Sequence, residues 1–150
     1  MRLHRRVVAP LLVVGFITTL AVSPAQAASG CHEINAKGVG QDAGGGVTHA
    51  QVIGGGLLHG TTDGNFAITA VNGTVASISG TVTFTTNQAT LTVSVDGTFD
   101  TSNGAFDASG PVSGATGKLA GATGNLSLVG VENLSNGRFV EDIDGRICLS

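Results

Sequence analysis

Glu132 and Glu141 are the residues of this chain whose types and spacing could do chemistry together. Around them apolar and polar residues alternate, Leu126 to Leu134 on one side and Phe139 to Ile147 on the other. Between lies Asn136-Gly137, a dipeptide that favours two-residue hairpin turns. Such a turn sets Leu134 opposite Phe139, Gly130 opposite Ile143, Leu128 opposite Gly145, Leu126 opposite Ile147, and Glu132 opposite Glu141. Both glutamates fall in the apolar row. Carboxylates held about 5 Å apart and partly removed from water cannot both ionise cheaply, so they share one proton or one cation. That chemistry suits a polar anchor or acid–base pair at the end of a ligand cavity, with Arg138 or Arg146 as partners. A longer turn, or a position at the rim, would instead leave the two facing water.

Other candidate chemistry is thinner. His32, His49 and His59 lack metal-ligand spacing, and with both cysteines committed elsewhere they read as unrelated surface residues, not a zinc site. No Gly-x-Ser-x-Gly elbow supports a hydrolase. Lys118 follows a single Gly and no helical pattern comes after it, so a phosphate-binding loop fails, and no cofactor motif is present. A two-residue turn at Asn103-Gly104 would oppose Asp100 and Asp107 on the solvent face, a tolerated repulsion between like charges. Three Asn-x-Ser/Thr sites, at Asn72, Asn125 and Asn133, matter only in a eukaryotic secretory pathway.

The ends of the chain set the compartment. Arg2, Arg5 and Arg6 precede an apolar stretch from Val7 to Val22, and Ala25-Gln26-Ala27 supplies a small-x-small cleavage pattern. A signal peptide over residues 1–27, bacterial in style, is expected to leave one secreted domain over 28–150 with no membrane span. That domain carries four basic against ten acidic residues, a net charge of −6, and no Trp or Tyr. Nucleic-acid binding is disfavoured on both counts. Cys31 and Cys148 are expected to pair in an oxidising compartment, closing a loop of 118 residues. In the alternative Ala28-Ser29-Gly30-Cys31 acts as a loose lipoprotein box and Cys31 carries a lipid anchor.

The elements that must position these residues are strands. There are 24 glycines and abundant Thr and Ser, and the mature chain nowhere keeps apolar residues at three-and-four spacing. Ala76, Ile78, Gly80, Val82 and Phe84 instead alternate with polar residues, as do Leu91, Val93, Val95, Gly97 and Phe99. A two-residue turn at Asn87-Gln88 pairs Phe84 with Leu91 and Val82 with Val93. One at Asn103-Gly104 pairs Phe99 with Ala108, Gly97 with Gly110 and Val95 with Val112. At Asn72-Gly73 a two-residue turn would put Phe66 and Ile68 on the wrong face, so an odd-length loop with Gly73 in a left-handed bulge is expected. Strands are expected at 31–37, 47–53, 66–71, 74–86, 89–100, 105–112, 125–134 and 138–149. Inward glycines at 80, 97, 110, 130 and 145 suit a sheet that curls sharply. An up-and-down barrel of about eight strands, its first and last joined by the disulfide, fits best; a two-layer sandwich is the alternative.

From Gly114 to Gly124 runs a near self-repeat, Gly-Ala-Thr-Gly-Lys-Leu-Ala-Gly-Ala-Thr-Gly, in which Gly117, Gly121 and Gly124 permit positive φ and Leu119 offers an apolar plug. With Gly104 to Gly110 before it and Leu126-Ser127-Leu128 after, this stretch resembles the strand, glycine knuckle and strand of the allene oxide cyclase and dirigent-like barrels, over Gly97 to Gly130. The resemblance implies an eight-stranded antiparallel barrel, in plants a cyclase acting on a fatty-acid epoxide or a guide for phenoxy-radical coupling. Those sites use tyrosines, and this chain has none, so no catalytic residue is carried over. Two function classes follow: a non-catalytic binding or structural module, which the lack of a reactive constellation favours, or a barrel acting on or carrying a small apolar ligand. Whether the interior is filled or hollow separates them.

Overall fold

Alternating residues can bury one face of a strand only if the sheet finds something to cover that face, and a sheet of sufficient curl covers itself. This chain takes that solution. A computed structural model describes residues 30–150; the leader and its cleavage site lie outside the described residues. Eight strands follow one another: β1 (Gly30–Gly44), β2 (Val47–Gly54), β3 (Gly60–Asn72), β4 (Val75–Thr85), β5 (Thr90–Asp100), β6 (Ala105–Ala115), β7 (Thr123–Asn133) and β8 (Arg138–Leu149). Each pairs antiparallel with the next, and β8 returns to β1, so the sheet is a closed barrel and not a sandwich. Cys31 and Cys148 sit directly opposite one another across the closing seam and are bonded. The sulfur an acyl anchor would need is thus engaged.

β1 and β3 are longer than their sequence pattern suggests because Gly38, Gly40 and Gly64 are inward positions within strands, not breaks. A side chain at these positions would collide with Glu141, Phe139 and Phe66 respectively. The glycines are where neighbouring side chains lie.

Asn87-Gln88 forms the expected turn, with Phe84 opposite Leu91 and Val82 opposite Val93. Two other turns are longer than expected, for one shared reason. In Asp100-Thr101-Ser102-Asn103-Gly104 the Asp100 carboxylate accepts from the Ser102 backbone N–H at 2.9 Å and from its hydroxyl at 2.6 Å. In Asn133-Leu134-Ser135-Asn136-Gly137 the Asn133 side chain accepts the same pair of bonds, at 3.0 and 2.6 Å. Each Asx side chain starts the turn two residues early. Phe99 therefore faces Phe106, not Ala108, and Glu132 faces Phe139, not Glu141. A slip of two residues keeps every side chain on its own face, so the inward set survives. At the β3–β4 hairpin the parity change comes from an extra residue at Thr69, between Ile68 opposite Ile78 and Ala70 opposite Ser77; the loop itself, Gly73-Thr74, is even.

The two ends of the bore differ. At the end carrying the disulfide, two short 3₁₀ turns, Gly56–Leu58 and Gly117–Leu119, fold across the opening and drive Leu58 and Leu119 inward. Beneath them Phe84, Leu91, Leu126, Ile143 and Ile147 are fully buried. This end is a solid plug, and the glycine knuckle is its lid. Gly117 and Gly121 both take positive φ, 59° and 77°. A side chain at Gly117 would strike the Gln88 carbonyl oxygen, whereas one at Gly121 would meet only the movable Ser150 hydroxyl.

Gly121→Val is expected to cost about 1 kcal/mol through backbone strain, and Gly117→Val distinctly more because it also displaces the β4–β5 turn; urea midpoints of the two variants check the order. Replacing both cysteines by alanine is expected to remove about 4 kcal/mol, since the disulfide restrains nearly the whole unfolded chain. Denaturant melts under oxidising and reducing conditions measure it.

Candidate functional site

The inward row changes character halfway along the bore. Toward the end carrying the β1–β2, β3–β4, β5–β6 and β7–β8 turns, branched aliphatics give way to glycines, phenylalanines and acids. The Phe139, Phe66 and Phe106 rings lie over Gly40, Gly64 and Gly130 along the wall. The result is a cavity of about 600 Å³ reaching the open end. Phe66, Phe99, Phe106 and Phe139 line it, with Ala108, Leu128 and Val82 toward the plug. Phe106 and Phe139 pack edge to face, their ring centroids 5.9 Å apart and planes at 87°. Polar groups on the wall are the hydroxyls of Thr48 and Thr62 and the carboxyls of Asp42, Glu132 and Glu141; among the described residues no lysine, arginine or histidine lines it.

Glu141 is the deepest of the acids. In β8 it lies between Phe139, nearer the open end, and fully buried Ile143. Its partner in β1 is Gly38 and its partner in β7 is Gly130, so it has a glycine on either flank. The side chain bends over Gly38, where an added Cβ would first meet the Glu141 carboxyl oxygen. Glu141 is only 8% exposed, and it makes no hydrogen bond or ion pair with the described side chains. Desolvation without compensation raises its pKa to about 7.

Glu132 lies one step nearer the open end on the same inward face, a diagonal neighbour of Glu141 and not its opposite partner. Both carboxylates thus reach the same cavity, but the directly opposed pair expected from a two-residue turn does not form. Burial raises the Glu132 pKa, and the nearby charge of Asp42 raises it further. Asp42 is the acid that sequence reasoning missed. The alternation Ile34, Ala36, Gly38, Gly40, Asp42 carries it inward once the two glycines are read as strand positions. Arg138 and Arg146, expected partners of the glutamates, have the opposite parity in β8 and point outward; Arg146 lies 3.5 Å from Glu33 on the outer wall.

The remaining candidates lie elsewhere. His49 is on the outer face, as its alternation with Val47 and Gln51 requires, its ring nitrogen 2.6 Å from Asp63. His32 sits near the disulfide and His59 follows a 3₁₀ turn, so the three histidines do not converge. Asp100 and Asp107 are not opposed. Hydrogen bonds from Ser102 hold the Asp100 carboxyl below its usual pKa, and Asp107 instead faces Thr98, whose hydroxyl and backbone N–H donate to it. No protein-family model, curated protein or solved structure matches the chain.

A carboxyl whose pKa is raised on folding destabilises the native state as pH rises. Below about 4.5 it is protonated in both states and carries no penalty; the penalty grows through the interval and is complete above about 7. Glu141 faces glycines on β1 and β7, the other charged groups of the cavity, Asp42 and Glu132, are acids too, and burial is what raises its pKa. Glu141→Gln is expected to stabilise the fold by roughly 3 kcal/mol at about pH 8 and very little at about pH 4. Urea melts across that range provide the check.

Proposed function

We propose that this protein is an exported, non-catalytic binding barrel that holds a small apolar ligand in the open half of its bore. The observation that carries the reading is the cavity itself: about 600 Å³, walled by four phenylalanines and closed below by a leucine plug. That volume lies within the range of small-molecule sites, which are mostly apolar with a few placed polar groups. A purely structural module would gain stability by filling this space, since each missing side chain forfeits packing. The Cys31–Cys148 bond suits an oxidising compartment, and no helix among the described residues is long and apolar enough to cross a membrane. Both accord with the secretory leader. The closed eight-stranded meander accords with kinship to the allene oxide cyclase and dirigent-like barrels, while the absence of tyrosine argues against either of their activities here.

The uncharged dye N-phenylnaphthylamine, which brightens in apolar surroundings, tests this. Its fluorescence is expected to rise and saturate at one dye per chain. Ala108→Phe, which projects a ring from the cavity wall into the space, is expected to weaken binding by about tenfold or more, with the far-ultraviolet circular dichroism unchanged. No saturable binding to the wild-type protein would contradict the reading.

A further inference from the structure

A cavity selects its ligand by the groups it leaves without partners. This one leaves acceptors. Its charged lining consists of Asp42, which accepts from the Gly44 backbone N–H at 2.7 Å, and of Glu132 and Glu141; its other side-chain polar groups are the hydroxyls of Thr48 and Thr62. A carboxylate or phosphate ligand would find, among the described residues, no cationic side chain lining the cavity and three acids to repel it. Glu141 is 8% exposed, lines the cavity and has no side-chain partner among the described residues. Filling the cavity with a wholly apolar molecule would strip the remaining water from that carboxyl and give nothing in return, which is among the costliest arrangements a protein can hold.

We infer that the ligand of this cavity is an apolar amine, its hydrocarbon or aromatic body against the four phenylalanines and its ammonium group donating to the Glu141 carboxylate. The inference rests on the binding function proposed above and names the ligand class. An ammonium supplies several donors, cancels the buried charge and forms the stronger, charge-assisted kind of hydrogen bond. An alcohol supplies one donor and no charge. Gly38 has a role in this arrangement. With no side chain there, the Glu141 carboxyl can lie against the wall and face the cavity, with the Phe106 ring over Gly130 on its other flank. Glu132 and Asp42, nearer the open end, add a field that attracts cations inward.

Three probes of matched shape decide it: naphthylmethylamine, naphthylmethanol and naphthoic acid, each titrated against bound N-phenylnaphthylamine at about pH 8, where Glu141 is mostly ionised and the amine is protonated. The amine is expected to compete about tenfold or more better than the alcohol, and the acid to compete worst. In Glu141→Gln the amine should fall to within a few-fold of the alcohol. Equal competition by amine and alcohol, or an acid that competes as well as the amine, would overturn the inference while leaving dye binding, and so the binding function, in place. If neither the dye nor any probe binds, the function itself fails and this inference fails with it. The wild-type ranking decides the matter without the variant, should Glu141→Gln not fold.

Discussion

An eight-stranded barrel has a bore of nearly fixed width, just large enough for inward side chains to fill. That constraint governs everything else here. Closure removes the edges of the sheet and fixes how many side chains can point inward, so the only freedom left is what those side chains are. In one half of this bore they are leucine, isoleucine, valine and a phenylalanine, and two short turns press Leu58 and Leu119 over the end. In the other half Gly38, Gly40, Gly64 and Gly130 let the side chains of Glu141, Phe139, Phe66 and Phe106 lie over the backbone, and what remains between them is a cavity. The disulfide, at the solid end, ties the strands where packing is already tightest.

The same glycines explain how an acid is tolerated inside. An inward glutamate with a bulky partner in β1 would be forced toward the axis; opposite Gly38 its carboxyl lies along the wall. Its charge still has no partner, and the raised pKa of about 7 records that cost. A small domain with room for a leucine at this position keeps instead a group that weakens the fold as pH rises. Such a concession is understandable at a site that meets something other than the protein's own side chains.

Much of this was legible in the sequence. Period-two alternation, glycine content and the terminal cysteines carry the closed meander, and the Leu119 plug is visible in the knuckle. What failed was register. Asn-Gly marks a turn, but Asp100 and Asn133 lie three residues before it and start the loop early through their own side chains; the repeated Asx-x-Ser-Asn-Gly pattern was the signal available. Because each error was a slip of two residues, faces were preserved while partners were not. Glu132 and Glu141 therefore share a cavity without being opposed. The hollow itself was illegible, because emptiness depends on how inward side chains from several strands align in depth. Single strands do not display that alignment.

The central claim is that half of the bore is an apolar cavity with an unpaired carboxyl in its wall. Glu141 reports on it directly. Following the side-chain carboxyl carbons of the wild-type protein by NMR as pH is raised, with Glu141 assigned, gives its own midpoint independently of stability. The account predicts a midpoint near 7. A midpoint near the ordinary glutamate value of about 4.3 would mean that the carboxyl is fully in water, and that it does not sit in the wall of a sheltered cavity.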